Sequence, residues 1–278
     1  MKHPETAAIR AQIRDGVLYY TFPIFDSFSS NFCAAFSSRL GGVSTDGLSS
    51  LNLGIGRGDT SENTKENFAR FGRAAGFDAE RAVLSQQTHS CNIRFVTQDD
   101  MGKGMVRPRD YIHVDGLITT EKNLPLLTNY ADCTPLLFYA ADQNIAGSAH
   151  AGWRGTVAGM AHHMVTKLKE LSCQPQHIYA AIGPAAGPCC YEIDADTAKN
   201  FFEYDRRLPG ILKEKADKPG KYLADLWLTN KLLLLEAGLP EENIAIAGLC
   251  TICHANIFYS HRVQGENRGA MAAVAMLK

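Results

Sequence analysis

IAGSAHAGWRGTVAGMAHHMVTKLKEL, residues 145–171, decides how this chain is read. The apolar run Ile145 to Ala149 has strand character and ends in His150. A glycine-rich turn follows, with Trp153 and Arg154 set between Gly152 and Gly155. From Thr156 onward Val157, Met160, Ala161, Met164, Val165, Leu168 and Leu171 recur at helical spacing, which predicts one helix over 157–171. The stretch is therefore strand, tight turn, helix. It brings an imidazole, a guanidinium and the positive end of a helix dipole to one junction, a setting suited to an anion beside a metal.

Outward from that junction, apolar runs predict strands at 17–22, 31–36, 82–85, 92–97, 113–119, 125–130, 135–139, 178–182, 244–247, 257–260 and 270–277. Further helices are expected at 63–75, with Asn63 and Glu66 placed like a capping box, at 194–202 and at 225–237. Residues 205–221 read as an exposed loop, and the Gly/Ser-rich stretch 37–59 is long enough to be a functional loop. Many strands and few helices, without strict βαβ alternation, indicate one α+β domain over residues 1–278, with mixed β-sheets layered between helices and about fifteen peripheral residues at the N-terminus.

The 278 residues are 45% hydrophobic and carry a formal net charge of -1. No block of lysine or arginine is present, so neither nucleic acid nor an anionic membrane is an expected partner. The N-terminus lacks the apolar core of a secretory signal, and no apolar run is long enough to span a bilayer. A cytoplasmic location follows as the expectation, with the eight cysteines reduced and serving mostly as small core residues.

Three residues could ligate a metal: His89 in SQQTHSCN, Cys133 in NYADCTPLLFY, and His150. They lie 44 and 17 residues apart, unlike the close ligand pairs of structural zinc sites. Spacing leaves two readings open. Each residue could be a turn or core position with its own hydrogen bonds, or the three could form a catalytic centre with an open coordination position. Arg39 and Arg154, each beside glycine, suit phosphate or carboxylate but also ordinary ion pairs. IGPAAGPCCYEI (182–193) reads equally as a rigid cavity wall or a tight loop with buried thiols. CTICH (250–254) matches the haem-attachment pattern, but nothing else in the chain fits a c-type cytochrome, so buried thiols are the preferred reading. FYSHRVQGENRG (258–269) places His261, Arg262 and Arg268 in one loop. Asp132 is expected to point away from Cys133, on the opposite strand face.

Taken in order, TH (88–89), DGLIT (115–119), ADCTPLLF (131–138), AHAGWRGT (149–156), IGPAAGPCCYEI and FYSHR closely resemble the bacterial YfiH/YlmD family, described as multicopper polyphenol oxidases (laccases) and as purine nucleoside phosphorylases. The resemblance runs from about Arg39 to the C-terminus. It implies a fold related to the cytotoxic necrotising factor toxins and a metal site at His89, Cys133 and His150, with zinc, or alternatively copper, as the ion. It implies phosphorolysis of adenosine, inosine, guanosine and methylthioadenosine, and deamination of adenosine. Small-molecule nucleoside and phosphate are then the partners of a monomer or homodimer. Cys133, His150 and Arg154 are the expected catalytic residues. Arg39, Arg154 and the helix start near Thr156 are expected to hold phosphate. The chain departs from the family where it has Arg268-Gly269 in place of Gly-Arg, which speaks against a role for Arg268. Other readings are a metal-free cysteine hydrolase with Cys133 as nucleophile and His150 as base, a factor that edits peptidoglycan precursors, and, below these, a copper polyphenol oxidase, for which nine histidines offer few ligands.

Overall fold

Alternation along two strands sets the layers. In Met271–Leu277 the odd-numbered residues face one apolar cluster, while Ala272, Val274 and Met276 face another. In Thr134–Ala140, Leu137 and Tyr139 enter that same first cluster, whereas Leu136, Phe138 and Ala140 enter a third. Strands covered on both faces need such near-continuous apolar sequence. The first cluster is thus the seam between two sheets, and helices cover the outer faces.

The computed structural model describes residues 3–278. The chain runs β1 (Arg10–Arg14), β2 (Val17–Thr21), β3 (Phe32–Ser37), α1 (Ser61–Ala75), β4 (Val83–Leu84), β5 (Ile93–Phe95), β6 (Gly116–Thr119), β7 (Leu126–Tyr130), β8 (Thr134–Ala140), β9 (Ile145–Ala151), α2 (Trp153–Val157), α3 (Met160–Glu170), β10 (Ile178–Ile182), β11 (Glu192–Asp194), α4 (Ala195–Ala198), α5 (Phe202–Arg207), β12 (Leu212–Glu214), β13 (Lys221–Ala224), α6 (Leu226–Glu236), β14 (Ile244–Ile246), α7 (His261–Gln264) and β15 (Met271–Leu277). One six-stranded sheet has the order β1-β2-β3-β15-β7-β4, the second has β14-β10-β8-β9-β6-β5, and β11-β13-β12 form a small third sheet. Helix α1 packs Phe68 and Phe71 on the first sheet, and α3 packs Met160, Met164, Val165 and Leu168 on the second. Between the sheets Phe32 stacks on Tyr139 with ring centroids 4.8 Å apart. Burying each such ring stabilises the fold by about 2 kcal/mol. The result is the single-domain α+β architecture expected.

Several local expectations change. Thr60, not Asn63, caps α1: its hydroxyl accepts the Asn63 N–H. The helix expected over 157–171 is two. Gly159, at φ +87°, breaks the helix between α2 and α3 although the apolar spacing runs on across it, and α2 starts at Trp153 behind Gly152. Residues 205–221 are not simply a loop, because β12 and β13 pair there. Ile257 to Ser260 form no strand. The N-terminal residues are partly built in, since β1 pairs with β2 and Ile9 is buried. Among the described residues no helix is long and apolar enough to cross a membrane.

Candidate metal centre

Strand register brings the candidate ligands to one edge of the second sheet. Pro135 on β8 faces His150 on β9, so Cys133, just before β8, stands beside His150. Gly116 on β6 faces Ala149, which places Asp115 on the same edge. Ile93 on β5 faces Gly116, and that parallel pairing carries the preceding loop, with His89, to the edge as well.

The three side chains meet. Cys133 Sγ lies 3.8 Å from His89 Nε2, and one ligand atom from each of His89, Cys133 and His150 falls within 4.8 Å of the others. A zinc ion bonded to one sulfur and one imidazole nitrogen holds them about 3.6 Å apart, so the spacing fits.

Asp115 organises the group. Its buried carboxylate accepts the N–H groups of Thr88, His89 and Ser90 at 3.0, 3.0 and 2.9 Å, and the Ser90 hydroxyl at 2.8 Å. His150 Nδ1 lies 2.8 Å from the other side of this cradle. Burial alone would raise the Asp115 carboxyl, but the His150 bond and the amide and hydroxyl donors hold it at about 2. An ionised carboxylate can only accept, so Nδ1 donates to it and Nε2 is the ring nitrogen left to face Cys133 and a metal. The amide bonds also hold His89 at φ +63°, a conformation that costs an ordinary side chain about 1 kcal/mol or more. Burial opposes charge on the Cys133 thiol, yet the two imidazoles prevail and draw its pKa down. Burial would likewise lower His150, but the facing sulfur and Asp115 raise it.

Gly152 gives the centre its room. A Cβ there would lie 2.5 Å from His89 Cδ2 and 3.0 Å from Cys133 Sγ. Asp132, at φ +81° in the turn before β8, borders the outer cavity; its carboxylate is taken up by other partners, not turned away by strand alternation as expected. It accepts from Thr251 Oγ1 (2.6 Å), Ser260 Oγ (3.0 Å) and the Arg262 N–H (2.7 Å).

Two cavities open on the centre. The inner one, about 290 Å³, is lined in part by Gln87, Arg109 and Asn129. The outer one, about 470 Å³, is lined in part by Trp153, Arg154, Tyr191 and Arg262. His89, Cys133, Arg57 and Arg268 border both. Arg268 is buried, donates through Nη1 to Gly269 O at 3.2 Å, and leaves Nε without a partner. A buried guanidinium with a spare donor is poised for an anion.

These positions correct part of the sequence reading. Arg154 lines the outer cavity, its guanidinium 4.3 Å from the centroid of the Trp153 ring. Arg39 does not reach either cavity. It donates to Ser49 O and Ala255 O and stacks on Tyr259, a structural role within the 37–59 loop. Thr156 is fully buried. Its N–H is spent on Gly152 O and its hydroxyl accepts from Asn230, so it offers phosphate nothing. Arg268, set aside on family pattern, stands next to the ligands. Arg57 was missed. It lies in the same long loop as Arg39, where glycines on either side were the available signal.

Comparison with known proteins identifies the family and the fold. The family model described as multi-copper polyphenol oxidoreductase laccase matches residues 33–278. Purine nucleoside phosphorylase YlmD of Geobacillus stearothermophilus is 37% identical over 86% of this chain and 88% of its own, and that of Bacillus subtilis 36% identical over 87% and 88%. The crystal structure of YlmD from Geobacillus stearothermophilus superposes with a TM-score of 0.86 at 34% identity, covering 99% of this chain and 100% of that one. Bacillus licheniformis YfiH gives 0.86 at 31% identity, covering 96% and 99%.

Proposed function

The chain belongs to the multi-copper polyphenol oxidoreductase laccase family, and from that premise we propose that it is a purine nucleoside phosphorylase working at the His89, Cys133 and His150 centre. Adenosine, inosine, guanosine and methylthioadenosine are its proposed substrates, and deamination of adenosine a companion activity. The observation that carries the reading is the convergence of three ligand atoms within 4.8 Å where two arginine-lined cavities join. Relatives that bear the phosphorylase name support it.

Two imidazoles and one thiolate, with Asp115 behind His150, fit a single zinc ion with one position open. Such an ion supplies Lewis-acid polarisation next to the substrate when bound. The same donor set would suit one copper ion. Among the described residues, however, only His89 and His150 of the histidines join a ligand cluster, which does not fit a centre of several copper ions.

In phosphorolysis a phosphate oxygen bonds to the ribose C1′ while the glycosidic bond breaks and its electron pair leaves with the purine. Arg57, Arg109 and Arg268 hold the phosphate in the inner cavity and orient it. Tyr191 and Arg154 flank the nucleoside in the outer cavity. The reacting carbon then sits at the boundary that both cavities share. The direct test is ribose 1-phosphate formation from inosine and phosphate by the wild type and Cys133→Ala. Equal rates from the two would rule out this centre.

One observation favours a second reading. Asp115, His150 and Cys133 also stand in the order of a thiol-hydrolase triad. His89 separates the two. In a hydrolase it is dispensable, so His89→Ala stays active and free of metal, whereas in a metal-dependent phosphorylase His89→Ala loses both ion and activity.

A further inference from the structure

We propose that Cys189, Cys190, Cys250 and Cys253 bind one tetrahedral metal ion of the zinc class, separate from the His89, Cys133 and His150 centre, and that this ion clamps two loops into the wall of the outer cavity.

The topology explains how sixty residues of separation close up. Strands β10 and β14 are parallel neighbours, with Ile182 opposite Ile246. Parallel pairing sends the loops that follow both strands out over the same sheet edge. Ala185 bridges Cys250, and the Thr251 N–H donates to Ala185 O at 3.0 Å. The Cys-x-x-Cys turn of 250–253 therefore faces the adjacent Cys189 and Cys190. Cys253 Sγ lies 3.5 Å from Cys189 Sγ and 3.4 Å from Cys190 Sγ, and all four sulfurs fall within 4.8 Å of one another. Around an ion with zinc–sulfur bonds near 2.3 Å, tetrahedral sulfurs stand about 3.8 Å apart. The group is sized for a single ion and is too tight to enclose a multi-iron cluster. The Gly187 N–H points at Cys250 Sγ at 3.2 Å, the kind of amide donor that supports a metal-bound thiolate.

The alternatives fit less well. A disulfide brings two sulfurs to about 2 Å and has no use for a second pair at the same point. Buried core thiols would be shielded, but Cys189 and Cys253 are exposed. Four donors from protein leave no open position, which makes the site structural rather than catalytic. Its position says what it holds. Tyr191 follows Cys190 directly, and Arg262 stands nine residues after Cys253; both line the outer cavity. The Ala186 N–H and the Thr251 hydroxyl both bond Asp132, the neighbour of the ligand Cys133.

Binding releases the thiol protons and involves no redox step. The test is metal content by mass spectrometry of full-length protein purified under reducing conditions. Two zinc equivalents per chain are expected in the wild type, and one each in Cys133→Ala and in Cys253→Ser, the latter substituted at an exposed sulfur. Because Cys253→Ser can fail to fold, a second measurement uses Cys133→Ala loaded with cobalt(II). Thiolate-to-cobalt charge-transfer absorption there must come from the four cysteines. Cobalt absorption without thiolate character, or a wild-type intact mass two hydrogens short per chain with no second zinc, overturns the proposal. Either result leaves the phosphorylase reading untouched, since that reading rests on the other centre.

Discussion

The two sulfur-containing clusters lie over the same edge of one sheet, yet they are built for opposite ends. The centre at His89, Cys133 and His150 has three donors, a carboxylate behind one imidazole, and cavities on either side. The group at Cys189, Cys190, Cys250 and Cys253 has four donors of one kind, and neither of those cavities is lined by any of them. A missing donor invites substrate, while a complete set fixes the backbone that carries it. Counting donors and neighbouring arginines separates the roles before any activity is measured.

The largest test removes a donor from the open centre. Cys133→Ala should lower phosphorolysis by roughly 10³-fold or more, the scale of several kcal/mol of Lewis-acid stabilisation, with Tm little changed. Chelation should then rank the two centres. Time-resolved zinc release to a strong chelator is expected to empty the three-donor centre first and to abolish activity before unfolding begins. Simultaneous release would erase the distinction drawn above.

Asp115→Asn comes next. It keeps the shape but loses the charge that accepts from His150 and the three amides. A fall of about 10–100-fold in zinc affinity of that centre is expected, measured by competition with a chromophoric chelator, with the four-cysteine group unaffected. Arg268→Gln should raise KM for phosphate about tenfold, from the loss of a charged hydrogen bond, and leave KM for inosine nearly constant. Arg39→Ala is the control: its guanidinium serves Ser49 O and Ala255 O, so KM should hold while Tm falls.

The smallest contrast compares two glycines three residues apart. Gly152→Ala pushes a methyl against His89 and Cys133 and should cost about tenfold in activity, through a ligand shift that zinc-edge spectroscopy can register. At Gly155 the nearest atom to a new Cβ is 3.5 Å away, inside α2. Gly155→Ala should leave activity alone and stabilise by about 0.5 kcal/mol, as alanine does in helices. If both substitutions behave alike, the close packing at Gly152 has no special meaning.

How much of this was legible in sequence depended on range. Strands buried on both faces, such as β8 and β15, announce themselves as apolar runs. The helix after β9 was mislocated because its apolar stripe continues through Gly159, and periodicity cannot register a single left-handed residue. The expectation that Thr156 holds phosphate rests on that start, whereas Thr156 lies inside α2. The three-donor centre needed strand register to assemble, and residue spacing alone left it undecided; family resemblance singled it out. In sequence the 182–193 stretch reads equally as a cavity wall or a tight loop and CTICH as buried thiols, because the two halves of the cysteine group meet only through the parallel pairing of β10 with β14. Arg57 has no legible role in sequence for a similar reason, since it sits in a loop whose destination is set by the sheets, whereas the case against Arg268 comes from the departure from the family pattern at Arg268-Gly269.

The β8–β9 hairpin turns the chain at the far rim of the second sheet. There Asp142 and Gln143 are exposed, and Asn144 takes the left-handed conformation of a tight reversal. Since every donor sits across the full length of those strands from this bend, it is the place to graft a dye, a tether or a reporter peptide. Such a handle would let immobilised enzyme be watched at work with both sulfur centres out of its reach.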